Sequence, residues 1–294
     1  MENGQPSRTA LATAYARAYH QFADEPRIFT DPLAVRILGV DATVVAQRHA
    51  TPSTRPGEDP ELNRRRRLFL AARARFAEDT VAAAVATGTR QVVIVGAGLD
   101  TFAYRNPYPE LRVFEVDHPD TQSWKRRQLA HSDIPVPDSV TYVPVDFETS
   151  TLAAGLAAAG FDRTRPAVFV WLGVIMYLTR EAILGTLDYI AGQADTAQVI
   201  FDYLCPGETA EERAALQARA ARVGAVGEPF LSYFTPAEMA ELLHGLGYTD
   251  IEDHTAPDII ADLFGKPRNP QSGNMPHVLR ATHGADQTRA FTNL

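Results

Sequence analysis

Four β-forming apolar residues, Val92–Val95, run without a break into Gly96-Ala97-Gly98. An unbroken apolar strand fits burial on both faces of a sheet, and glycines at its end let the backbone approach a ligand closely. Parallel neighbours need helical crossovers, and the chain supplies them. From Gln91 onward, strand-like runs at 91–95, 111–116, 140–144, 167–172 and 197–203 alternate with helical patterns near 119–131, 149–159, 179–192 and 208–223. This alternation predicts an α/β fold with a Rossmann-like, doubly wound, mostly parallel sheet. A helix near 235–246 opens on Thr235-Pro236, and strands near 247–253 and 276–283 close the chain. These two strands are joined without a long helix, so an antiparallel pair at one edge is expected.

About ninety residues of mostly helical pattern precede the first strand. Thr9–Phe22 reads as a helix carrying Tyr15, Tyr19 and Phe22, and Asp31-Pro32 opens a short one. A proline-rich loop spans 51–60, and Glu61–Ala86 reads as a long helix that stops at Gly88. The chain thus divides into an N-terminal helical cap or lid, 1–88, and a ligand-binding core, 89–294, with no long linker between them. The formal charge of −8 argues against a nucleic-acid partner. Arg64–Arg67 is the only dense basic run; in a helix it forms either a solvated face or a surface with an arginine turned inward. The single cysteine, Cys205, excludes an internal disulfide framework and a Cys-rich metal site, and no metal is expected. With no apolar leader and no 18-residue apolar run, a cytoplasmic protein without a membrane partner is expected.

The turn after the first strand reads Gly96-Ala97-Gly98-Leu99-Asp100-Thr101. A dinucleotide turn carries a third glycine where Thr101 stands, and Asp100 adds a negative charge where a phosphate would sit. Both weigh against a pyrophosphate and favour a ligand with a cationic or neutral group there, such as the amino-acid end of S-adenosylmethionine. In the next strand, alternation puts Leu111, Val113, Glu115 and Asp117 on one side. Asp117 falls at the C-terminal lip, about 20 residues past the glycines, where a carboxylate can hold ribose hydroxyls. Glu115, one pleat deeper, competes for that role. Asp146 ends a third strand and can accept an adenine amino group, while Phe147 can cover the ring. A nicotinamide-dependent oxidoreductase is the alternative that Thr101 and the order of these residues argue against.

Several segments in order resemble the leucine carboxyl methyltransferase family of class I S-adenosylmethionine-dependent methyltransferases. They are TALATAYARAYHQFADEPRIFTDPLAVRILG, AARARFAED, VVIVGAGLDTFAYR, FEVDHPDTQSWKR, VDFE, WLGVIMYLT and EPFLSYFTPAEMAELLHGLGY. The resemblance covers nearly the whole chain and extends to the family's bacterial branch that acts on small molecules, the tetracenomycin carboxyl methyltransferase among them. It implies that Arg73 pairs with the cofactor's carboxylate, that Gly96 and Gly98 line the methionine portion, and that Asp117 holds the ribose. It also implies that Asp146 and Phe147 hold the adenine and that Tyr177 stands at the pocket mouth, where it could position an acceptor. Leu172 occupies a position that is glutamate in leucine carboxyl methyltransferase itself, so a polar contact to the cofactor is replaced by an apolar one.

Methyl transfer from a sulfonium is an in-line displacement, in which the protein positions and desolvates the nucleophile. A carboxylate is already ionised, whereas a phenol or enol hydroxyl needs a base, and no histidine lies in a base-like motif. The expected activity is therefore O-methylation of a small-molecule carboxylate, with a hydroxyl acceptor as the alternative. A non-catalytic binding protein on the same fold is a further alternative. Richness in Ala, Arg and Pro associates such a chain with secondary metabolism. Tyr15, Tyr19, Phe22 and Phe29 offer either an aromatic wall for the acceptor or ordinary core packing.

Overall fold

The structure is a computed structural model that describes residues 7–50, 60–147, 149–207, 209–225, 227–268 and 276–284. Its centre is a seven-stranded sheet in the order β3-β2-β1-β4-β5-β7-β6. The strands are β1 (Gln91–Val95), β2 (Arg112–Asp117), β3 (Val140–Pro144), β4 (Ala167–Trp171), β5 (Ala197–Tyr203), β6 (Asp250–Thr255) and β7 (His277–His283). The first five are parallel, with Gln91 opposite Arg112 on one side and Ala167 on the other. The antiparallel pairing expected at one edge is present: β7 inserts between β5 and β6 and runs against both.

Because the chain runs outward from β1 to β3 and then returns beside β1 as β4, the strand order reverses between β1 and β4. A crevice opens at the carboxyl ends of strands at such a switch point. The glycine turn lies there because β1 is apolar throughout and fully buried, so its first polar opportunity is the turn itself.

Each face of the sheet takes alternate residues. Val92, Ile94, Leu111, Val113, Val168 and Ile200 join one apolar cluster, and Val93, Val95, Phe114, Val116, Phe169 and Phe201 join another. The alternation expected for β2 is therefore observed. The first face is covered by α1 (Arg8–Ala23), α2 (Ala42–Ala50), α3 (Pro60–Ala86), the one-turn α4 (Phe102–Arg105), α5 (Pro119–His131) and, late in the chain, α10 (Ala256–Leu263). The second face carries α6 (Leu152–Ala158), α7 (Arg180–Ala191) and α9 (Pro236–Gly245). Apolar residues of the N-terminal stretch and of the sheet form one continuous cluster. The remaining helix, α8 (Ala210–Gly224), begins with a Thr209–Glu212 capping box and has no buried residue.

Two local expectations change. The short helix expected from Asp31-Pro32 is a turn followed by a 3₁₀ turn at Arg36–Leu38, because Asp31 Oδ1 accepts from the Leu33 amide at 2.9 Å and its other oxygen is engaged elsewhere. Helices α2 and α10 appear where the sequence reading placed none. For α10 a signal was present, since Thr255 and Asp258 form a capping box around Pro257. Among the described residues no helix is long and apolar enough to cross a membrane.

Candidate functional site

The turn after β1 is held by β2: the amides of Gly96 and Ala97 donate to the Val116 carbonyl at 2.8 and 3.0 Å. Gly96 has φ +68°, and a Cβ there would lie 2.5 Å from Val174 Cγ2. A side chain at this position would meet both backbone strain and a collision. Gly98, at φ +46°, turns its amide onto Asp117 Oδ2 at 2.5 Å, and the His118 amide donates to Asp117 Oδ1 at 2.7 Å. Burial pushes the Asp117 carboxyl above its ordinary value, and the two amides work against that rise. The first glycine turn and the first lip carboxylate are thus joined directly.

The two acids of β2 are separated by their surroundings. Glu115 is fully buried and takes the Lys125 ammonium at 2.7 Å and the Tyr104 hydroxyl at 2.7 Å. Burial raises its pKa and Lys125 opposes the rise. With its oxygens enclosed in the core, Glu115 drops out as a ligand for ribose, and Asp117 is the acid at the lip.

Further along the lip, Asp146 follows β3 and its carbonyl accepts from the Thr149 and Ser150 amides at 3.0 and 2.8 Å. Phe147 beside it is 49% exposed. On the other side of β1, Leu172 leaves β4 half-buried and lines a void of about 20 Å³ with Ile94, Val170 and Phe102. Read across the sheet, the order is Asp146 and Phe147, Asp117, the glycines, then Leu172. A cleft of about 420 Å³ lined by Arg90, Glu110, Arg112 and Asp162 opens at the opposite, N-terminal ends of the strands, away from these residues.

Arg73 reaches this edge from α3. It ion-pairs with Asp202 of β5 at 2.5 Å, and the Gly173 amide donates to the same carboxylate at 2.5 Å. Gly173 has φ +74°, and a Cβ there would come within 3.0 Å of the guanidinium. The glycine therefore lets the arginine lie against the exit of β4. Asp202 was missed from sequence, although a carboxylate closing the apolar run Val199–Phe201 is the same signal that marked Asp117. The other nitrogens of Arg73 have no hydrogen-bond partner among the described residues.

Thr101, which occupies the third-glycine position, donates to Asp31 Oδ2 at 2.7 Å. Arg17 and Arg105 pair with the same carboxylate at 2.9 and 3.3 Å, and Arg105 continues to Glu78 at 2.7 Å. Asp100 does not stand free ahead of α4; its Oδ1 accepts from the Phe102 amide at 2.8 Å and closes a local turn just before Thr101, the N-cap of that helix. This brace ties the N-terminal stretch to the glycine turn. The basic run on α3 divides its duties: Arg67 turns inward to Asp24 at 2.8 Å, beside His20, while Arg65 faces outward to Glu61.

Tyr177 follows β4 on a 3₁₀ turn, with its ring 5.4 Å from that of Phe230. Burial raises its pKa, Thr9 and two arginines oppose the rise, and Glu228 adds to it. The Glu228 carboxylate accepts from the Arg8 amide at 3.1 Å and from the Thr9 hydroxyl, so it clasps the first turn of α1. Tyr177 therefore lies where α1, the β4 exit and the segment after α8 meet.

Comparison with known proteins bears on the family and the fold. The family model described as leucine carboxyl methyltransferase matches residues 10–191. A Bacillus subtilis protein, provisionally named the S-adenosyl-L-methionine-dependent methyltransferase YktD, is 33% identical over 90% of this chain and 93% of its own. A Mycolicibacterium gilvum protein with a provisional name of the same class is 32% identical over 84% of this chain and 79% of its own. In fold, a DUF574 family protein from Streptomyces avermitilis superposes with a TM-score of 0.56 at 17% identity, over 95% of this chain and 98% of its own. The chain belongs to the leucine carboxyl methyltransferase family.

Proposed function

We propose that this protein methylates an oxygen of a small-molecule carboxylate. Its family makes it a methyltransferase that takes the methyl group from S-adenosylmethionine. The residues of the lip fit that cofactor: two glycines at positive φ, one of them with no room for a Cβ, one partly exposed carboxylate, and an arginine with unengaged nitrogens. When bound, S-adenosylmethionine supplies an electrophilic methyl group on a sulfonium centre. Asp117 would hold the ribose hydroxyls, Asp146 and Phe147 the adenine, and Gly96 and Gly98 the methionine backbone. Arg73 would take the cofactor's carboxylate while staying anchored to Asp202. Leu172 would give an apolar wall beside the reacting centre, and Tyr177 would position the acceptor.

The carboxylate reading is carried by the two histidines that lie beside the carboxyl ends of β2 and β5, each of which has a ring nitrogen engaged. His118 Nδ1 accepts from the Asp120 amide at 3.2 Å and caps α5, and His277 is paired with Asp253 at 2.9 Å. An acceptor that arrives ionised needs neither of them. The chain then has only to align the oxygen, exclude water and hold the acceptor's charge.

The test is transfer of a radiolabelled methyl group from S-adenosylmethionine to a panel of carboxylic acids and phenols, followed by mild alkali. A methyl ester releases its label as methanol and a methyl ether keeps it. Alkali-stable product from phenols alone would replace the carboxylate by a hydroxyl acceptor. If S-adenosylhomocysteine fails to bind at millimolar concentration in calorimetry, the chain is a binding protein on this fold.

A further inference from the structure

Of the four consecutive arginines on α3, three have carboxylate neighbours. Arg65 pairs with Glu61, and Arg67 and Arg64 lie 2.8 and 3.9 Å from Asp24. Arg66 has no ion pair or hydrogen bond among the described residues. It stands seven positions before Arg73, which on a helix means two turns, the same face and about 10 Å. Arg66 therefore points the way Arg73 points, but farther out from the sheet edge. Solvent reaches it, and partial burial of its guanidinium lowers its pKa, with Arg73 and Arg222 adding to the fall and Tyr177 opposing it.

A second cation comes from another element. Arg219 of α8 sits with its guanidinium carbon 5.2 Å from the Phe230 ring centroid, and it too lacks a carboxylate partner among the described residues. Phe230 in turn contacts Tyr177 at 5.4 Å and Tyr233 edge-on at 6.5 Å. Tyr177 feels both arginines. Burial lowers Arg219 to about 10, Arg66 and Arg73 add to the fall, and Tyr177 and Asp202 oppose it. Packing does not explain the arrangement, because α8 has no buried residue that would force Arg219 inward. The one carboxylate that acts on Arg219 is Asp202, which is already ion-paired with Arg73, while Arg222 adds a further positive charge near Arg66. Guanidinium groups crowded beyond their counter-charge are costly unless an anion comes between them.

We propose that Arg66 and Arg219 clamp the anionic group of the acceptor, and that the acceptor is an aromatic acid whose ring lies against Phe230, Tyr177 and Tyr233. This deepens the proposed function and rests on its reading of the acceptor as a carboxylate. The aromatic preference follows from ring faces on one side and planar guanidinium groups on the other, both of which stack on flat ligands. Guanidinium against one carboxylate oxygen fixes the group and leaves the second oxygen to attack.

Calorimetry on the full chain tests the clamp directly. Benzoate, cinnamate and 2-naphthoate, each paired with its neutral carboxamide, are titrated into protein saturated with S-adenosylhomocysteine and into protein without it. At least one acid is expected to bind at least tenfold more tightly than its amide. That affinity should fall at least tenfold in both Arg66→Gln and Arg219→Gln and stay unchanged in the outward-facing Arg65→Gln. Equal binding of acid and amide, no binding by any of the three acids, or wild-type affinity in both clamp variants overturns the proposal. The S-adenosylhomocysteine titration of each variant is the separate control. Unchanged cofactor affinity shows that the variants are folded, and its absence in the wild type refutes the cofactor reading without touching the acid-versus-amide contrast.

Discussion

The two faces of the sheet are held together by different means. On the α6, α7 and α9 side the contacts are rings and aliphatic chains: Phe161 lies edge-on to Phe114 at 5.5 Å and Phe169 at 5.7 Å, and Trp171 meets Phe201 at 6.4 Å. On the α1 and α3 side an apolar cluster is overlaid by charges that cross between elements, among them Arg17–Asp31, Arg105–Glu78, Arg67–Asp24 and Arg73–Asp202. Close-packed rings hold one arrangement, because any shift opens a void. Ion pairs can exchange partners with a charged ligand. The expectation is that substitutions on the ring-packed face act on stability alone, and that those on the charged face act on ligand binding as well.

This contrast can be broken by substitution. Phe169→Ala on the dry face should cost about 3–5 kcal/mol in urea unfolding, while the folded fraction keeps its affinity for S-adenosylhomocysteine. Asp31→Ala on the charged face removes the acceptor shared by Thr101, Arg17 and Arg105. It should cost about 3 kcal/mol of stability and, unlike Phe169→Ala, weaken S-adenosylhomocysteine binding at least tenfold in calorimetry. If the two variants changed affinity equally, the division of labour would be wrong.

Asp117→Ala sharpens the comparison within the charged face. Its amide partners remain near solvent, so stability should move little, while loss of a charged acceptor for two hydroxyls weakens S-adenosylhomocysteine binding by about 2–3 kcal/mol. Unaltered affinity would remove Asp117 from the site.

A polar group set against the dry face gives the smallest effect. His277 stacks on Tyr203 at 5.3 Å and pairs with Asp253; burial alone would lower its pKa, but Asp253 and Cys205 raise it to about 9. The folded state then binds more protons than the unfolded state between the ordinary value near 6.5 and about 9. Its contribution, on the order of 2 kcal/mol, is complete below pH 6.5 and is lost as pH rises through about 9. Urea midpoints across this range should fall in the wild type and flatten in His277→Gln.

The parallel sheet was legible because Val92–Val95 and Val168–Val170 are apolar on both faces, a pattern with few other solutions. Asp117 was legible because its place after β2 follows from the period of the strand. Glu115 remained a competitor because its enclosure by Lys125 and Tyr104 depends on α5 and α4 folding back over β2. Thr101 looked only like a missing glycine; its partner Asp31 lies 70 residues away, and no local rule connects them. Arg66 could not be told from its neighbours in the basic run, since the choice depends on the turn of α3 relative to Asp24 and Arg73. Arg219 gave no signal, being one charged residue in a charged surface helix.

The absence of buried residues in α8 bears on how such a protein can diverge. A segment that the core does not need can exchange residues without bringing the chain nearer to unfolding. The matched family region ends at residue 191, upstream of this helix, and takes in Arg73, the glycine turn and Tyr177. If Arg219 holds the acceptor as proposed, a lineage could keep those residues unaltered and change the acceptor it takes through substitutions in 210–224. Grafting that stretch from a relative would show whether it governs the substrate range.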